Sequence, residues 1–501
     1  VVIGAGMGGL AAAIRLAGRG YAVTVVEKEA SVGGKARHVM AGDVPVDGGP
    51  TVMTMKWAFD RLLSPLGMQL ADLVELRSAD LLARHFWPDG SQLDLFADID
   101  TSVEAIRDFS DAHNAKGYRD FCQQSRAIFE TLKDTYIAGQ RPNPLQLVNR
   151  IGPTSFGKML ALKPFDTLWS ALGAHFTDPR LRQLFGRYAT YCGSSPFACP
   201  ATLMLVAHVE QDGVWLVNGG MHALARALQD AAESIGVRFV LGADVSGITT
   251  TSVGVSGVTI NDGDVLSCES IVFNGDVSAL TKPGFEHVGQ QAGISATPPA
   301  KRSLSALVWS ATVPAGELPL AHHTVCFGDA YASEFDAVFK RGAVPDQPTV
   351  YMCAQDRTCD GMLSAAAKTR GTERLLILVN APANGDGANT HFSIEEINAC
   401  QHAMITQVNR CAVPLSADML TTAKLTTPSG FNRLFPATGG ALYGRANHGP
   451  MASFQRPGAR TKLSGLYLAG GSVHPGPGVP MAAISGQLAA DCLAQDHALT
   501  R

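Results

Sequence analysis

The feature that most constrains this chain is Gly4-x-Gly6-x-x-Gly9, set between the β-branched run Val1-Val2-Ile3 and the Ala/Leu-rich segment Leu10–Ala17. A strand that turns tightly into a helix, then a second buried strand over Tyr21–Val26 ending in the acid Glu27, is a β-turn-α-β unit. Each residue has a physical task in such a unit. Gly4 permits the tight turn, Gly6 lets the backbone approach a pyrophosphate, Gly8 lies at the same turn, and Gly9 lets helix and strand pack closely. The helix N-terminus offers unpaired N–H groups and a positive partial charge to the phosphates. Glu27 can accept from ribose hydroxyls, and its charge opposes a 2′-phosphate. The unit therefore predicts a site for FAD or NAD.

A second glycine loop follows at once, Gly33-Gly34-Lys35-Ala36-Arg37, and then Asp47-Gly48-Gly49-Pro50-Thr51. Glycines beside cations can wrap a longer cofactor, with Lys35 or Arg37 near the pyrophosphate, which favours FAD. At the other end of the chain, Leu466-Tyr467-Leu468-Ala469 reads as a buried strand that runs into Gly470-Gly471-Ser472-Val473-His474-Pro475-Gly476-Pro477-Gly478-Val479-Pro480-Met481, with a helix from Ala482. Backbone N–H groups at such a turn can stabilise negative charge developing on a reduced flavin. His474 has two readings, an acid/base that titrates near neutrality or a side chain that orients the turn.

Between these ends, helical patterning is expected over Phe59–Ser78 and Asp100–Arg150, with Pro142, Pro144, Pro153 and Pro164 interrupting the later part. Strands are expected at Val237–Val240, Gly254–Ile260, Ser270–Phe273, Ala306–Thr312, Thr349–Cys353 and Leu375–Val379, and a helix near Ile394–Val408. Nucleotide signatures at both termini imply a discontinuous α/β domain, Rossmann-like, over 1–100, 211–295 and 425–501. An α+β substrate domain is inserted over 101–210 and 296–424.

Composition removes other classes. With 40 Lys+Arg against 44 Asp+Glu, a net charge of −4 and no basic stripe, the chain is not a nucleic-acid binder. Its 17% charged residues fall below the ~25% usual for soluble domains, which suits a protein that buries much apolar surface or touches lipid. No apolar run reaches the ~18 residues of a spanning helix. The ten Cys include no CxxC, and read as reduced thiols in a cytosolic protein; no metal set is evident. No leader-like segment precedes the first motif.

The N-terminal module and the Gly470–Met481 segment resemble the flavin-dependent carotenoid desaturases, within the amine-oxidase-like FAD superfamily. Gly470 to Pro480 matches that family's terminal Gly-x-x-x-His-Pro-Gly-x-Gly-[VI]-Pro pattern. Trp215-Leu216-Val217-Asn218-Gly219-Gly220-Met221 is similar to its mid-chain Gly-Gly-Met turn, here without the Pro, and Asn274-Gly275-Asp276 resembles its Asn-Ala-Asp strand end. Lys35 stands where the family often has Arg, and Ser472-Val473 replaces a small residue–Thr pair. Arg187–Pro196 and Gly440–Arg445 look most like the 1-hydroxycarotenoid 3,4-desaturases, also called methoxyneurosporene or hydroxyneurosporene dehydrogenases, of the spheroidene and spirilloxanthin pathways of purple phototrophic bacteria.

The resemblance implies FAD held by Gly4, Gly6, Gly8, Gly9, Glu27, Lys28, Gly34, Lys35, Pro50, Thr51, Val245 (at adenine), Gly471, Val479 and Met481. It implies removal of two hydrogens from C3–C4 of an acyclic carotenoid bearing a tertiary hydroxyl at C1, with a quinone or oxygen as electron acceptor and no assigned catalytic residue. Tunnel walls are expected in the apolar segments 155–210 and 300–380. A water-insoluble substrate implies peripheral docking on the cytoplasmic or photosynthetic membrane, through segments near 125–175 carrying Lys133, Arg141, Lys158 and Lys163. Competing readings are a phytoene desaturase of the same fold, a flavin amine oxidase, and a non-enzymatic prenyl-protein escort.

Overall fold

The computed structural model describes residues 1–152, 157, 162–163, 165–261, 263–387 and 392–500; Pro153, Lys158 and Pro164 lie outside the described residues, as does part of the 155–210 segment. The glycine motif sits at the centre of a five-stranded parallel sheet. Its strands run in the order Leu466–Leu468, Ile271–Phe273, Val2–Ile3, Thr24–Glu27 and Arg238–Leu241. Three widely separated parts of the sequence thus form one sheet, as the discontinuous reading expects. Leu466–Leu468, Ile271–Phe273 and Val2–Ile3 are buried at every position because parallel sheets are covered on both faces; Thr24, Glu27 and Arg238 are the polar members of the other two strands. On one face the helices Met7–Ala17, Met221–Ser234 and Val479–Thr500 form a single core with the strands. The first and last cross so closely that a Cβ on Gly486 would lie 1.9 Å from the Gly8 carbonyl oxygen. Arg15, on the one helix edge that leaves this core, pairs with Asp491 at 2.9 Å. The other face carries the three-stranded antiparallel sheet Val245–Thr251, Gly254–Ile260 and Asp264–Ser267.

The second unit is built on a seven-stranded mixed sheet. Its order is Lys424–Thr426, Ser305–Pro314, Thr372–Ala381, Val350–Ala354, His323–Cys326, Leu81–Phe86 and Gln92–Phe96. Period-two alternation sorts its residues onto two faces. Leu307, Trp309, Ala311, Val350, Met352, Leu375, Ile377 and Val379 pack with Cys400, Met404 and Val408 of the helix Ile394–Arg410. That helix starts on a capping box, Ser393 with Glu396. The opposite face is smaller: Ala306, Val308, Cys353 and Leu376 meet Phe431, bordered by the half-buried Tyr351, Leu378, Phe435 and Leu442. Helices Ile99–Phe109 and Ala112–Leu132 cover a third core rich in aromatic contacts, among them Phe121 with Phe185 at 4.8 Å.

Two expectations differ from the structure. The stretch 59–78 is not one helix. Trp57–Leu63 ends in a turn closed by Gly67 at φ 72°, and Leu76–Ser78 is a strand drawn out by antiparallel pairing with Trp215–Val217. Residues 81–96, grouped by sequence with the nucleotide unit, form the edge hairpin of the seven-stranded sheet through parallel pairing of Leu81–Phe86 with His323–Cys326. The helix break is local, at Pro65 and Gly67, whereas the strand Leu76–Ser78 and the 81–96 hairpin come from long-range strand pairing, which local periodicity does not encode.

Candidate active site

The glycine turn is packed around one side chain. Asn274, at the end of Ile271–Phe273, donates from Nδ2 to the Gly4 carbonyl at 3.3 Å. A Cβ on Gly6 would lie 3.0 Å from that same nitrogen, and one on Gly8 2.5 Å from Asn274 Oδ1. At Gly9 a Cβ would strike the Gly4 carbonyl oxygen at 2.0 Å, so only glycine allows this helix to leave this strand. Gly33 N–H donates to Ala5 O at 2.9 Å, and the second loop lies on the first with Gly34 against Gly6. The helix Met7–Ala17 has no side-chain cap, which leaves its first N–H groups to a ligand.

Glu27 is buried, accepting from Ala5 N–H at 2.7 Å and from Glu29 N–H at 3.0 Å. Its carboxylate is thereby held beside the turn with lone pairs to spare for ribose hydroxyls. Its backbone carbonyl accepts from Ala243 N–H at 2.9 Å, which brings the strand opened by Val245 alongside. Lys28 turns away, donating to Arg433 O at 3.3 Å. Gly471 stands across the turn on the Leu466–Leu468 side, and Val479 and Met481 open the last helix there.

Three cations converge on this turn and its second loop. Lys35 Nζ donates to Leu442 O at 2.9 Å and sits 5.0 Å from the centre of the Phe435 ring. Arg37 bonds Thr426 Oγ1 at 3.3 Å and keeps a buried Nε without a partner. Arg456 is buried and donates to three carbonyls, Tyr443 and Gly471 at 3.1 and 3.0 Å and Arg445 at 2.6 Å. Burial lowers the pKa of all three, and among the described residues none is in an ion pair. Charges removed from water without a countercharge are costly, so this set fits an anion as strong as a pyrophosphate. Arg456 was not legible in the sequence, where it belongs to no motif.

The loop after Lys35 joins the two units. A Cβ on Gly49 would lie 1.7 Å from the Lys35 carbonyl oxygen, so Gly48-Gly49-Pro50 must run directly over that residue. Asp47 caps the helix Met221–Ser234 through the N–H groups of Met221 and His222, and a Cβ on Gly220 would meet its Oδ2 at 2.0 Å. This explains the Gly-Gly-Met turn. Thr51 Oγ1 then reaches Tyr351 OH at 2.7 Å, across to the smaller face of the seven-stranded sheet.

His474 resolves in favour of the structural reading. Its Nε2 faces two backbone carbonyls, Tyr136 at 2.9 Å and Gly139 at 3.0 Å, and its ring packs edge-on to Tyr136. Burial pushes its pKa down to about 4, against those two hydrogen bonds, so near neutrality the ring is uncharged and fixes the turn.

Comparison with known proteins now decides the family. Residues 7–311 match the model for flavin containing amine oxidoreductases. The chain belongs to that family. Within it, similarity is to carotenoid desaturases from end to end. It is 47% identical over 494 residues to the hydroxyneurosporene desaturase of Rubrivivax gelatinosus, covering 98% of this chain and 92% of the relative. Identity is 42% over 498 residues to the Rhodobacter capsulatus protein of the same name (99% and 98% covered). It is 28% over 513 residues to a 1-hydroxycarotenoid 3,4-desaturase from Flavobacterium sp., with 99% of each covered. Among solved structures, an oxidoreductase from Methanosarcina mazei aligns at TM-score 0.59 with 14% identity over 99% of each chain. A putrescine oxidase variant aligns at TM-score 0.61 with 13% identity, covering 100% of this chain and 98% of that one. These two establish the fold alone. The chain is therefore a flavoprotein oxidoreductase of the carotenoid desaturase group, as the sequence motifs imply.

Proposed function

We propose that this chain is an FAD-dependent desaturase that introduces the C3–C4 double bond into acyclic 1-hydroxy carotenoids such as 1-hydroxyneurosporene. The observation that carries the reading is the 47% identity, over nearly the whole chain, to a hydroxyneurosporene desaturase. FAD, rather than a shorter flavin, accounts for the dinucleotide turn, the Glu27 carboxylate and the three cations together. The residues that would hold it are Gly4, Gly6, Gly8, Gly9, Glu27, Gly34, Lys35, Pro50, Thr51, Val245, Gly471, Val479 and Met481, with Arg456 added. When bound, the flavin supplies a two-electron acceptor.

The protein's own part is orientation and exclusion of water. Leu378, Phe435 and Leu442 offer an apolar wall on the sheet face next to Lys35 and Thr51. Charge developing next to a long polyene is delocalised along it, so a strong base is not required, and no catalytic acid or base is assigned. A quinone or oxygen takes the electrons onward.

A carotenoid must be drawn from lipid, and peripheral docking has a physical basis. The helix Pro144–Ile151 buries no residue, and Leu145 is 76% and Phe165 87% exposed, with Arg141, Arg150 and Lys163 in the same stretch. Among the described residues no helix is long and apolar enough to cross a membrane. The test is to incubate flavin-loaded protein with liposomes carrying phytoene or 1-hydroxyneurosporene and to record product spectra after chromatography. A red shift of one double bond with the hydroxylated substrate alone is expected. Stepwise conversion of phytoene would make the protein a phytoene desaturase, and conversion of neither would overturn the substrate assignment.

A further inference from the structure

A hydrocarbon substrate needs an apolar wall, yet the sheet face next to Thr51 carries a line of polar atoms. Tyr351 OH bonds Thr51 Oγ1 at 2.7 Å on one side and His323 Nδ1 at 2.8 Å on the other. The Tyr351 and His323 rings stack, with centroids 6.1 Å apart, and the Arg187 guanidinium lies 5.0 Å from the centre of the Tyr351 ring. His323 is buried, and its Nε2 has no hydrogen-bond partner. A ring nitrogen of His323 lies within 4.8 Å of one on His322 and of Cys353 Sγ. His322 and Cys353, together with Thr51, Asp47, Gln355 and Arg374, line a cavity of about 30 Å³ at the seam between the two units. That is room for about one water-sized group, between these polar side chains and the apolar Leu216, Val217 and Met221.

The hydrogen-bond bookkeeping of the line is closed except at one atom. If Tyr351 donates to Nδ1, Nε2 carries the proton and is an unused donor. If Nδ1 donates to Tyr351, which then donates to Thr51, Nε2 is an unused acceptor. A hydroxyl satisfies either state because it both donates and accepts; an ether oxygen satisfies one. Burial, with His322 and Arg187 nearby, holds the imidazole uncharged, so the open atom suits a neutral ligand. Leaving a buried polar atom unpaired is unfavourable, and a ligand hydroxyl would remove that penalty.

Location narrows the ligand. In a 1-hydroxy carotenoid the oxygen is three bonds from C3 and four from C4, so the group that binds it must adjoin the reacting carbons. Thr51 belongs to the loop that passes over Lys35 and is expected at the cofactor. The geometry points to Thr51, Tyr351 and His323 as the subsite for the tertiary hydroxyl of the substrate, with Tyr351 positioning the His323 ring. This rests on the 1-hydroxy carotenoid reading above and extends it to the residues that select the hydroxyl.

The test compares kcat/KM of the flavin-loaded protein in liposomes for 1-hydroxyneurosporene and for neurosporene, which lacks the hydroxyl. The wild type prefers the hydroxylated substrate. Tyr351→Phe and His323→Phe lower that preference at least tenfold, mainly through KM for 1-hydroxyneurosporene, and His323→Gln, which keeps an amide donor and acceptor, restores part of it. Variants that lose activity equally on both substrates, or keep the wild-type preference, overturn the subsite while the proposed function stands. A wild type indifferent to the hydroxyl overturns both. Stoichiometric zinc or copper in the purified protein, lost on Cys353→Ser, would assign the cluster to a metal and overturn the subsite as well.

Discussion

His474 offers a direct measurement of how the glycine turn is held. Its pKa is pushed from 6.5 down to about 4, first by burial and further by Arg141 and Arg150, against hydrogen bonds to Gly139 and Tyr136. The unfolded chain therefore takes up a proton at this residue before the folded one does. The sign follows: stability from the neutral ring is complete above the unfolded value of 6.5 and is lost as pH falls through that value toward about 4. At ~1.4 kcal/mol per unit, less the fraction already titrated in the folded chain, the loss between about pH 7.5 and about pH 4.5 is about 2.5 kcal/mol. The perturbation is His474→Gln, which can still donate to the Tyr136 or Gly139 carbonyl but does not titrate. Urea unfolding of wild type and variant across that range isolates the residue, because every other group cancels in the difference. The wild type should lose about 2.5 kcal/mol more than the variant on acidification. Parallel curves would refute both the buried neutral ring and its structural assignment.

Gly9→Ala places a methyl where the Gly4 carbonyl oxygen lies, 2.0 Å away, so the purified variant should lack the visible absorbance of bound flavin. Arg456→Met removes one of the three uncompensated cations at the turn. Titration of apoprotein should show flavin affinity weakened by about tenfold to a hundredfold, or about 1.4–2.7 kcal/mol. Arg357 pairs with the fully buried Glu373 at 2.7 Å, and Arg357→Met should destabilise the seven-stranded sheet by about 3–5 kcal/mol in urea unfolding, as a stranded buried charge does. Leu145→Glu puts a charge on the exposed helix Pro144–Ile151 and should reduce flotation with liposomes while leaving flavin content intact.

The nucleotide module was legible because its requirements are local. A glycine spacing, a following helix and an acid at the end of the next strand are each set by a few neighbouring residues; Gly4 and Gly9 meet at the turn, and the Glu27 carboxylate is held beside it by the Ala5 N–H. The terminal Gly470–Met481 segment was legible for the same reason, as was the discontinuity it implies. The tertiary structure decided everything that depends on which distant segments pair. It moved residues 81–96 into the second sheet, because a strand's partner depends on long-range packing. It also chose between the two readings of His474 by bringing the carbonyls of Tyr136 and Gly139 against its Nε2. Arg456 became a candidate for the site only because the fold buries it among three carbonyls, one of them that of Gly471. The Thr51–Tyr351–His323 line is of the same kind. Its members come from a loop and two strands far apart in sequence, and burial and hydrogen-bond valence acquire meaning only once those strands lie side by side.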